Sequence, residues 1–491
     1  MNYLKLKKSA CNGAGVMETE TISKNGASPK GQKSRKNFKF PVLIAAAAIA
    51  FMFAGCEKTP TVDDSGECGT GLTYEYTSSN KTLTIIGTGD MADFSNNSVP
   101  WIDYKEEIEN VRIEEGVTRI GDYAFYECTE LKGFSVPNTS VLYIGENAFY
   151  GCSKLQEIDF GKTFPEVKFI DYYAFAECTG LKRIIITGKV TTIEEHAFYN
   201  CSNDTLLRIG NSVTEINSSA FNNCGITNVI FEDGTKNIAI SRWGIFENCP
   251  IKTVHWGRNM PSAYGSPFEE IKSLISATIG GEVTEIMSDI FRNCTNLTSV
   301  TIPTSLKDLS SGMFYGCINL TNFIIPDWIT SIDASAFAYS GLTSVKIPAK
   351  VTGIGDGAFN NTEITDIVIE DGTTDLAISR WGIFNNCPIK TIYWGRTIPF
   401  GYSSPAEGVR SLTSVIIGAE VTSINSDAFS GCTKLTQLTS KNPNPPAATT
   451  YTFSNFDQSS CSLFVPASAI NAYKNATGWK DFSSITAGAG I

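Results

Sequence analysis

A segment built from an Ile, an Ala-Phe pair, a Cys three residues after the Phe and a Leu three after that recurs about every 23 residues through most of this chain. Its fullest copy is Arg119-Ile120-Gly121-Asp122-Tyr123-Ala124-Phe125-Tyr126-Glu127-Cys128-Thr129-Glu130-Leu131. The Phe position is filled by Phe125, Phe149, Phe175, Phe198, Phe221, Phe246, Phe268, Phe291, Phe314, Phe337, Phe359, Phe384 and Phe429, with Ala406 as a degenerate copy. A fixed period of this length means stacked units, none of which can bury its apolar face alone. The pattern therefore predicts a solenoid of 14 turns over residues 108–440.

The stretch Leu297 to Leu320 shows what each position does. Val300 and Ile302 alternate with Ser299 and Thr301, which predicts a short strand that Pro303 ends. Met313-Phe314-Tyr315-Gly316-Cys317 is too short for a long helix and reads as one helical turn on the opposite side. The fold class expected is an α/β solenoid, strand-rich with short helical turns and irregular caps. The outward strand positions Ser135, Glu157, Asp159, Asn228, Ser299, Thr301, Asn322, Ser344, Lys346, Asp366, Ser414 and Gln437 form a small, polar row.

Both ends depart from the repeat. Residues 68–107 begin with Leu72-Thr73-Tyr74-Glu75-Tyr76 and Leu83 to Ile86 around a polar turn, the pattern of a β-hairpin. That hairpin and Trp101 are read as a cap over the first open turn. In residues 441–491 a strand at Cys461 to Val465 precedes a short helix at Ala467 to Thr477, with Ser468 as N-cap and Ile470 and Tyr473 on one face.

These motifs resemble the BspA-like leucine-rich repeat proteins. The resemblance rests on Gly116-Val117-Thr118-Arg119-Ile120-Gly121-Asp122-Tyr123-Ala124-Phe125 with Cys128, on Ser344-Val345-Lys346-Ile347-Pro348 and on Thr82-Leu83-Thr84-Ile85-Ile86-Gly87-Thr88-Gly89. It covers about Cys68 to Phe482. It implies a right-handed leucine-rich repeat coil that binds host or neighbouring-cell macromolecules, such as extracellular matrix proteins, without catalysis.

The first 55 residues read as an address. Lys33, Arg35, Lys36 and Lys39 precede an apolar run from Phe40 to Ala54, too short to span a bilayer and suited to a signal segment. Phe53-Ala54-Gly55-Cys56 resembles a bacterial lipobox, which implies lipidation of Cys56, a linker over 56–67 and an anchor in the outer membrane at the cell surface, or facing the periplasm. Asp63 and Asp64 resemble the surface-export signals of some Gram-negative lipoproteins, although a solvated linker accounts for them equally. Without the leader the chain keeps 30 basic and 48 acidic residues, which argues against nucleic acid as a partner.

Little points to chemistry. Only His196 and His255 occur, and there is no P-loop, His-x-x-x-His pair or Gly-x-Ser-x-Gly elbow. No enzyme activity, cofactor or metal is expected. Ten of the 14 Cys follow the repeat Phe by three, and the other copies carry Ile271, Ser340, Thr362 and Val409. A position that accepts these residues is a small packing site, so a ladder of buried free thiols is expected rather than disulfides.

A larger repeat offers the candidate binding residues. Phe231-Glu232-Asp233-Gly234-Thr235 through Trp243 and Phe246 returns as Ile369-Glu370-Asp371-Gly372-Thr373 through Trp381 and Phe384, 138 residues later. Val254-His255-Trp256-Gly257-Arg258 likewise returns as Ile392-Tyr393-Trp394-Gly395-Arg396. Alternation turns His255 and Tyr393 outward. Trp243, His255, Arg258, Trp381, Tyr393 and Arg396 are thus two candidate patches for an extended protein ligand or a glycan, unless the two copies stay alike because they pack.

Overall fold

In a computed structural model the described residues are 61–488 except 137–139, 204, 242–243, 261–265 and 400, and they belong to one compact unit, Pro60–Ile491. The leader, Cys56 and Trp243 lie outside the described residues.

Every turn of the coil has three sides. The first is a parallel ladder of longer strands such as Arg183–Ile186, Thr205–Ile209, Ile226–Gly234 and Thr253–Arg258, each paired with the next, with register shifts at Thr205/Leu206 and Phe231/Gly234. Alternation along them puts Ile184, Ile186, Val254 and Trp256 inside. The second is a ladder of two-residue strands, among them Tyr143–Ile144, Phe169–Ile170 and Thr192–Ile193. This side was not anticipated from the sequence; it is formed by the Ile that opens each copy of the motif.

The third side carries the Ala-Phe-x-x-Cys segment, and it is not the helical turn expected. Tyr123 and Glu127 have φ of 57° and 54°, and the same two positions are left-handed at Tyr173 and Glu177, at His196 and Asn200, and at Ser219 and Asn223. The N–H groups of Tyr123, Phe125 and Glu127 donate to Glu146, Ala148 and Tyr150 of the next turn, at 2.9, 2.7 and 2.6 Å. Those of Ala124, Tyr126 and Cys128 donate three residues back within their own turn. A helix would spend all its donors internally, whereas this alternation ties neighbouring turns together. Left-handed backbone costs an L-residue about 1–2 kcal/mol, and the inter-turn hydrogen bonds offset it. The α-helices among the described residues are short, at Phe160–Thr163 and Ile470–Asn475. The architecture is a strand-rich parallel β-solenoid.

Inside, the repeat Phe rings stack from turn to turn at centroid distances such as 5.1, 4.9 and 5.4 Å. The column is longer than its Phe copies. Trp101, fully buried, stacks on Phe125 at 5.8 Å and donates its Nε1–H to Ala124 O, and Phe453 stacks on Phe429 at 5.3 Å. These two additional rungs bring the coil to about 16 turns. Trp101 is thus both cap and first rung.

All 12 described cysteines are free and buried. Along the ladder, from Cys152 onward, the thiols donate to the carbonyl of the rung residue one turn back, as from Cys152 to Phe125, Cys224 to Phe198 and Cys432 to Ala406 at 3.4, 3.0 and 3.0 Å. Burial pushes the Cys128, Cys317 and Cys432 thiols up to about 12. Sulfur therefore supplies a packing group and a donor at once.

At the N-terminal end Leu72–Thr77 and Thr82–Gly87 pair antiparallel as a hairpin, and Asp64–Gly69 adds a further antiparallel strand. Residues 64–67, placed in a linker by the sequence, thus belong to the cap. The Asp64 carboxylate accepts from Tyr74 Oη at 2.8 Å, and the Asp63 carboxylate from the Ser78 N–H at 2.6 Å. At the other end Ser462–Val465 and Ser484–Ala487 extend the ladder. The helix between them starts from a 3-10 turn with Ala469 at its N-cap, so Ser468 does not cap it. Tyr473 is buried and donates its hydroxyl to Ser440 Oγ and Asn442 O, closing the last turn.

Candidate functional site

The long-strand side is the face on which the sequence placed its candidates, and the structure divides them. His255 and Tyr393 point outward and are half-buried. His255 Nε2 lies 3.0 Å from Asp233 Oδ1, and Tyr393 Oη donates to Asp371 at 2.7 and 2.8 Å. Each carboxylate rests on glycines. A Cβ on Gly257 would come within 2.6 Å of Asp233 Oδ1, and one on Gly418 within 2.5 Å of Asp371 Oδ1. Burial and the Asp371 carboxylate push the Tyr393 hydroxyl up to about 12. Lys441 Nζ lies 5.1 Å from the Tyr393 ring centroid.

Arg258 and Arg396 are not surface residues. Both are fully buried, and burial lowers the pKa of each. Arg258 donates to the carbonyls of Lys236, Val213, Gly210 and Asn237, at 2.7, 3.1, 3.4 and 3.4 Å. Arg396 reaches those of Val351, Ala349 and Pro348, at 2.6, 3.0 and 3.1 Å. Strand alternation continues here: Arg258 is the next inward position after Val254 and Trp256, as Arg396 is after Ile392 and Trp394, and each enters the space beyond its Trp. The guanidinium takes that space and satisfies loop carbonyls one and two turns back for Arg258 and two turns back for Arg396. These arginines are structural clamps.

Trp381 is 78% exposed and borders a groove of about 330 Å³ that runs between two turns to Ser403, Pro405 and Glu407. Arg380, just before it, donates to Gly401 O at 2.6 Å.

The outward row is less polar than the sequence suggested. Asp159 is buried at the start of the Phe160–Thr163 helix, with Lys162 3.0 Å away. Ile324 is 85% exposed, and Val368, Tyr393 and Ile416 lie side by side on three paired strands. The signal was present, since residues two beyond each first outward position share its face.

A second outward feature escaped the sequence reading. On the tight-turn side of the first repeats, Tyr126 stacks on Tyr150 at 5.0 Å, Tyr123 meets Tyr126 at 5.3 Å, Tyr173 stacks on His196 at 4.8 Å and His196 meets Tyr199 edge-on at 5.4 Å. Tyrosine directly after the repeat Phe in the first, second and fourth copies, with Tyr173 two before Phe175 in the third, was the available clue. Among the described residues no group of three or more His, Cys, Asp or Glu is placed to hold a metal. No described helix is long and apolar enough to cross a membrane.

Comparison with known proteins agrees with the repeat geometry. The family described as BspA type Leucine rich repeat region (6 copies) matches residues 103–227, 203–289, 265–391 and 406–483, well over half the chain. Similar solved structures include a leucine-rich repeat protein from Bacteroides ovatus (20% identity, 85% of this chain and 89% of that one, TM-score 0.37). Another is a leucine rich cell surface protein from Faecalibacterium prausnitzii (21% identity, 88% and 96% coverage, TM-score 0.30). A third is the pneumococcal vaccine antigen PcpA (13% identity, 88% and 100% coverage, TM-score 0.27). No curated protein matches the chain.

Proposed function

The chain belongs to the BspA-type leucine-rich repeat family, and we propose that it is a lipid-anchored cell-surface protein that holds another macromolecule on its repeat surface without catalysing a reaction. The favoured ligand is a protein of the host matrix or of a neighbouring cell. The observation that carries this reading is the contrast between the two copies of the large repeat. Inward residues recur as Trp256 and Trp394 or Arg258 and Arg396, while outward positions change from His255 to Tyr393 and from Thr278 to Ile416. A scaffold that holds its packing and varies its face is suited to recognition. Anchoring through Cys56 would keep that face at the membrane and add avidity to weak contacts.

A binding screen of the purified protein against immobilised matrix proteins and polysaccharides tests the ligand class. Saturable protein binding is expected. Glycan is the second reading, favoured by the exposure of Trp381 beside its groove. Saturable polysaccharide binding that Trp243→Ala and Trp381→Ala abolish would establish it instead. For the anchor, Cys56→Ser should release the protein from the membrane fraction and remove its acyl mass. Protection from added protease in intact cells would place the protein in the periplasm.

A further inference from the structure

We propose that the tight-turn side of the first four repeats binds a protein segment bearing lysine or arginine. This rests on the protein-binding reading and names the chemistry of the partner. Residues 121–128, 145–152, 171–178 and 194–201 hold six tyrosines, His196 and seven carboxylates, and no lysine or arginine. The turn does not require that composition. The matching segments at 217–224 and 310–317 contain no Asp or Glu, and only one tyrosine between them, Tyr315.

The molecule already shows how a cation sits on this chemistry. Lys105 Nζ lies 5.3 Å from the Tyr126 ring centroid and 3.1 Å from Glu127 Oε2. The Arg119 guanidinium lies 5.2 Å from the Tyr143 ring and 2.7 Å from Asp122. Further along, Arg292 lies 4.0 Å from Tyr315 and 3.1 Å from Asp289. In each case a tyrosine face and a carboxylate share one positive group, the arrangement in which ring quadrupole and charge act together.

Beyond Arg119 the same elements lack their cation. Among the described residues no lysine or arginine pairs with Glu146, Asp171, Glu177 or Glu194. Their partners are neutral: Asn147, Asn200 and Asn217 donate amide hydrogens to Glu146, Glu177 and Glu194 at 3.0, 2.7 and 2.8 Å. Burial and the nearby Asp122 and Asp171 charges push the Glu146 carboxyl up, and the carboxylates around Tyr172, Glu194 foremost, push its hydroxyl up. Like charges are crowded there, and an incoming cation would relieve them. Between Tyr126, Tyr150, Tyr173 and Glu146 the surface forms a groove of about 540 Å³, long enough to run from turn to turn.

The test is a titration of the purified protein with a short Arg/Lys-Gly peptide and with its neutral citrulline/norleucine analogue, at low and at physiological salt. The cationic peptide alone should bind, and more weakly as salt rises. Tyr150→Ala with Tyr173→Ala should weaken it roughly ten-fold. Glu146→Gln with Glu177→Gln, a pair that keeps shape and the amide contacts' geometry, should do the same. Equal binding of the neutral peptide would overturn the proposal, as would unchanged affinity in the Gln pair. Loss of glycan rather than peptide binding in the Tyr pair would reassign the surface to a sugar. If both pairs still capture a matrix protein that the wild type captures, protein binding stands and this site for it fails.

Discussion

The two copies of the large repeat answer to different neighbours. They agree at one rung, at its thiol and at the carboxylate beside the outward ring. Phe246 and Phe384 are rungs, Cys249 and Cys387 donate to Phe221 O and Phe359 O at 3.1 Å, and Asp233 and Asp371 accept from the outward ring. Where the neighbour is solvent or the adjoining rung, they part. Thr278 corresponds to Ile416 in the other copy, Cys224 to Thr362, and Phe268 to Ala406. Even the shared clamp is tuned: Arg258 Nε donates to Lys236 O, whereas Arg396 Nε has no partner, and Trp394 Nε1 donates to Arg396 O while Trp256 Nε1 has none. A copied block thus builds the same clamp by two bonding patterns, and it varies at core rungs as well as on the outward row.

The ring column gives the largest effect by which that comparison can be broken. Phe246 is stacked on both sides, by Phe221 at 5.7 Å and Phe268 at 5.8 Å, whereas Phe384 stacks on Phe359 and meets Ala406 beyond. Phe246→Ala should cost about 4 kcal/mol and Phe384→Ala about 1 kcal/mol less. Because a solenoid opens locally, hydrogen exchange across each turn is the measurement, alongside urea unfolding. Equal costs would show that ring stacking does not set the difference. Next come the clamps. Arg258→Met leaves up to four carbonyls without their donor and should cost about 3 kcal/mol; Arg396→Met leaves three and should cost about 2 kcal/mol. A gain in stability from either would mean that desolvating the guanidinium outweighs what it satisfies.

These residues also mark where sequence stops being legible. The Phe and Cys columns were readable because stacking forces each to recur at one spacing, and a position tolerating Cys, Val, Ile, Ser or Thr declares itself a packing site. Arg258 and Arg396 were misread because alternation was stopped at the Trp; carried two residues further, past the glycine, it turns both side chains inward. The tight turns looked helical because Ala-Phe-x-x-Cys has helical spacing. Their left-handed backbone shows only in the mixture of Asn, Gly, Asp and Ser that accumulates two residues either side of the Phe. The tyrosine face does not show as a recurrence, since its tyrosines crowd the first four turns and return only in places such as Tyr315 and Tyr339.

A smaller effect separates the copies by pH. The Tyr393 hydroxyl donates to Asp371 only while protonated, and its pKa in the folded protein is raised to about 12 against about 10 for a free tyrosine. The folded state therefore holds its proton more tightly than the unfolded one. The contribution is complete below pH ~10 and is lost as pH climbs through ~12. Because the ring is only half-buried, Tyr393→Phe should cost about 1 kcal/mol at neutral pH, and that cost should vanish at the alkaline end. A difference between wild type and Tyr393→Phe that persists above pH ~12 would show that packing, not the hydrogen bond to Asp371, stabilises this copy.

Exchanging the outward residues should disturb stability least and recognition most. His255→Tyr with Thr278→Ile, and Tyr393→His with Ile416→Thr, give each copy the other's face while leaving Trp256, Arg258, Trp394 and Arg396 in place. His255 and Tyr393 already bond equivalent aspartates over equivalent glycines, so each new ring meets a cradle that fits it. Each exchange should change unfolding free energy by less than about 0.5 kcal/mol, the usual range for surface positions. If the strand face carries the ligand, affinity should follow the transplanted row. A ligand that binds both exchanged proteins as it binds the wild type would take recognition off this row and leave the tyrosine-carboxylate side of the first repeats as the surface on which to look for it.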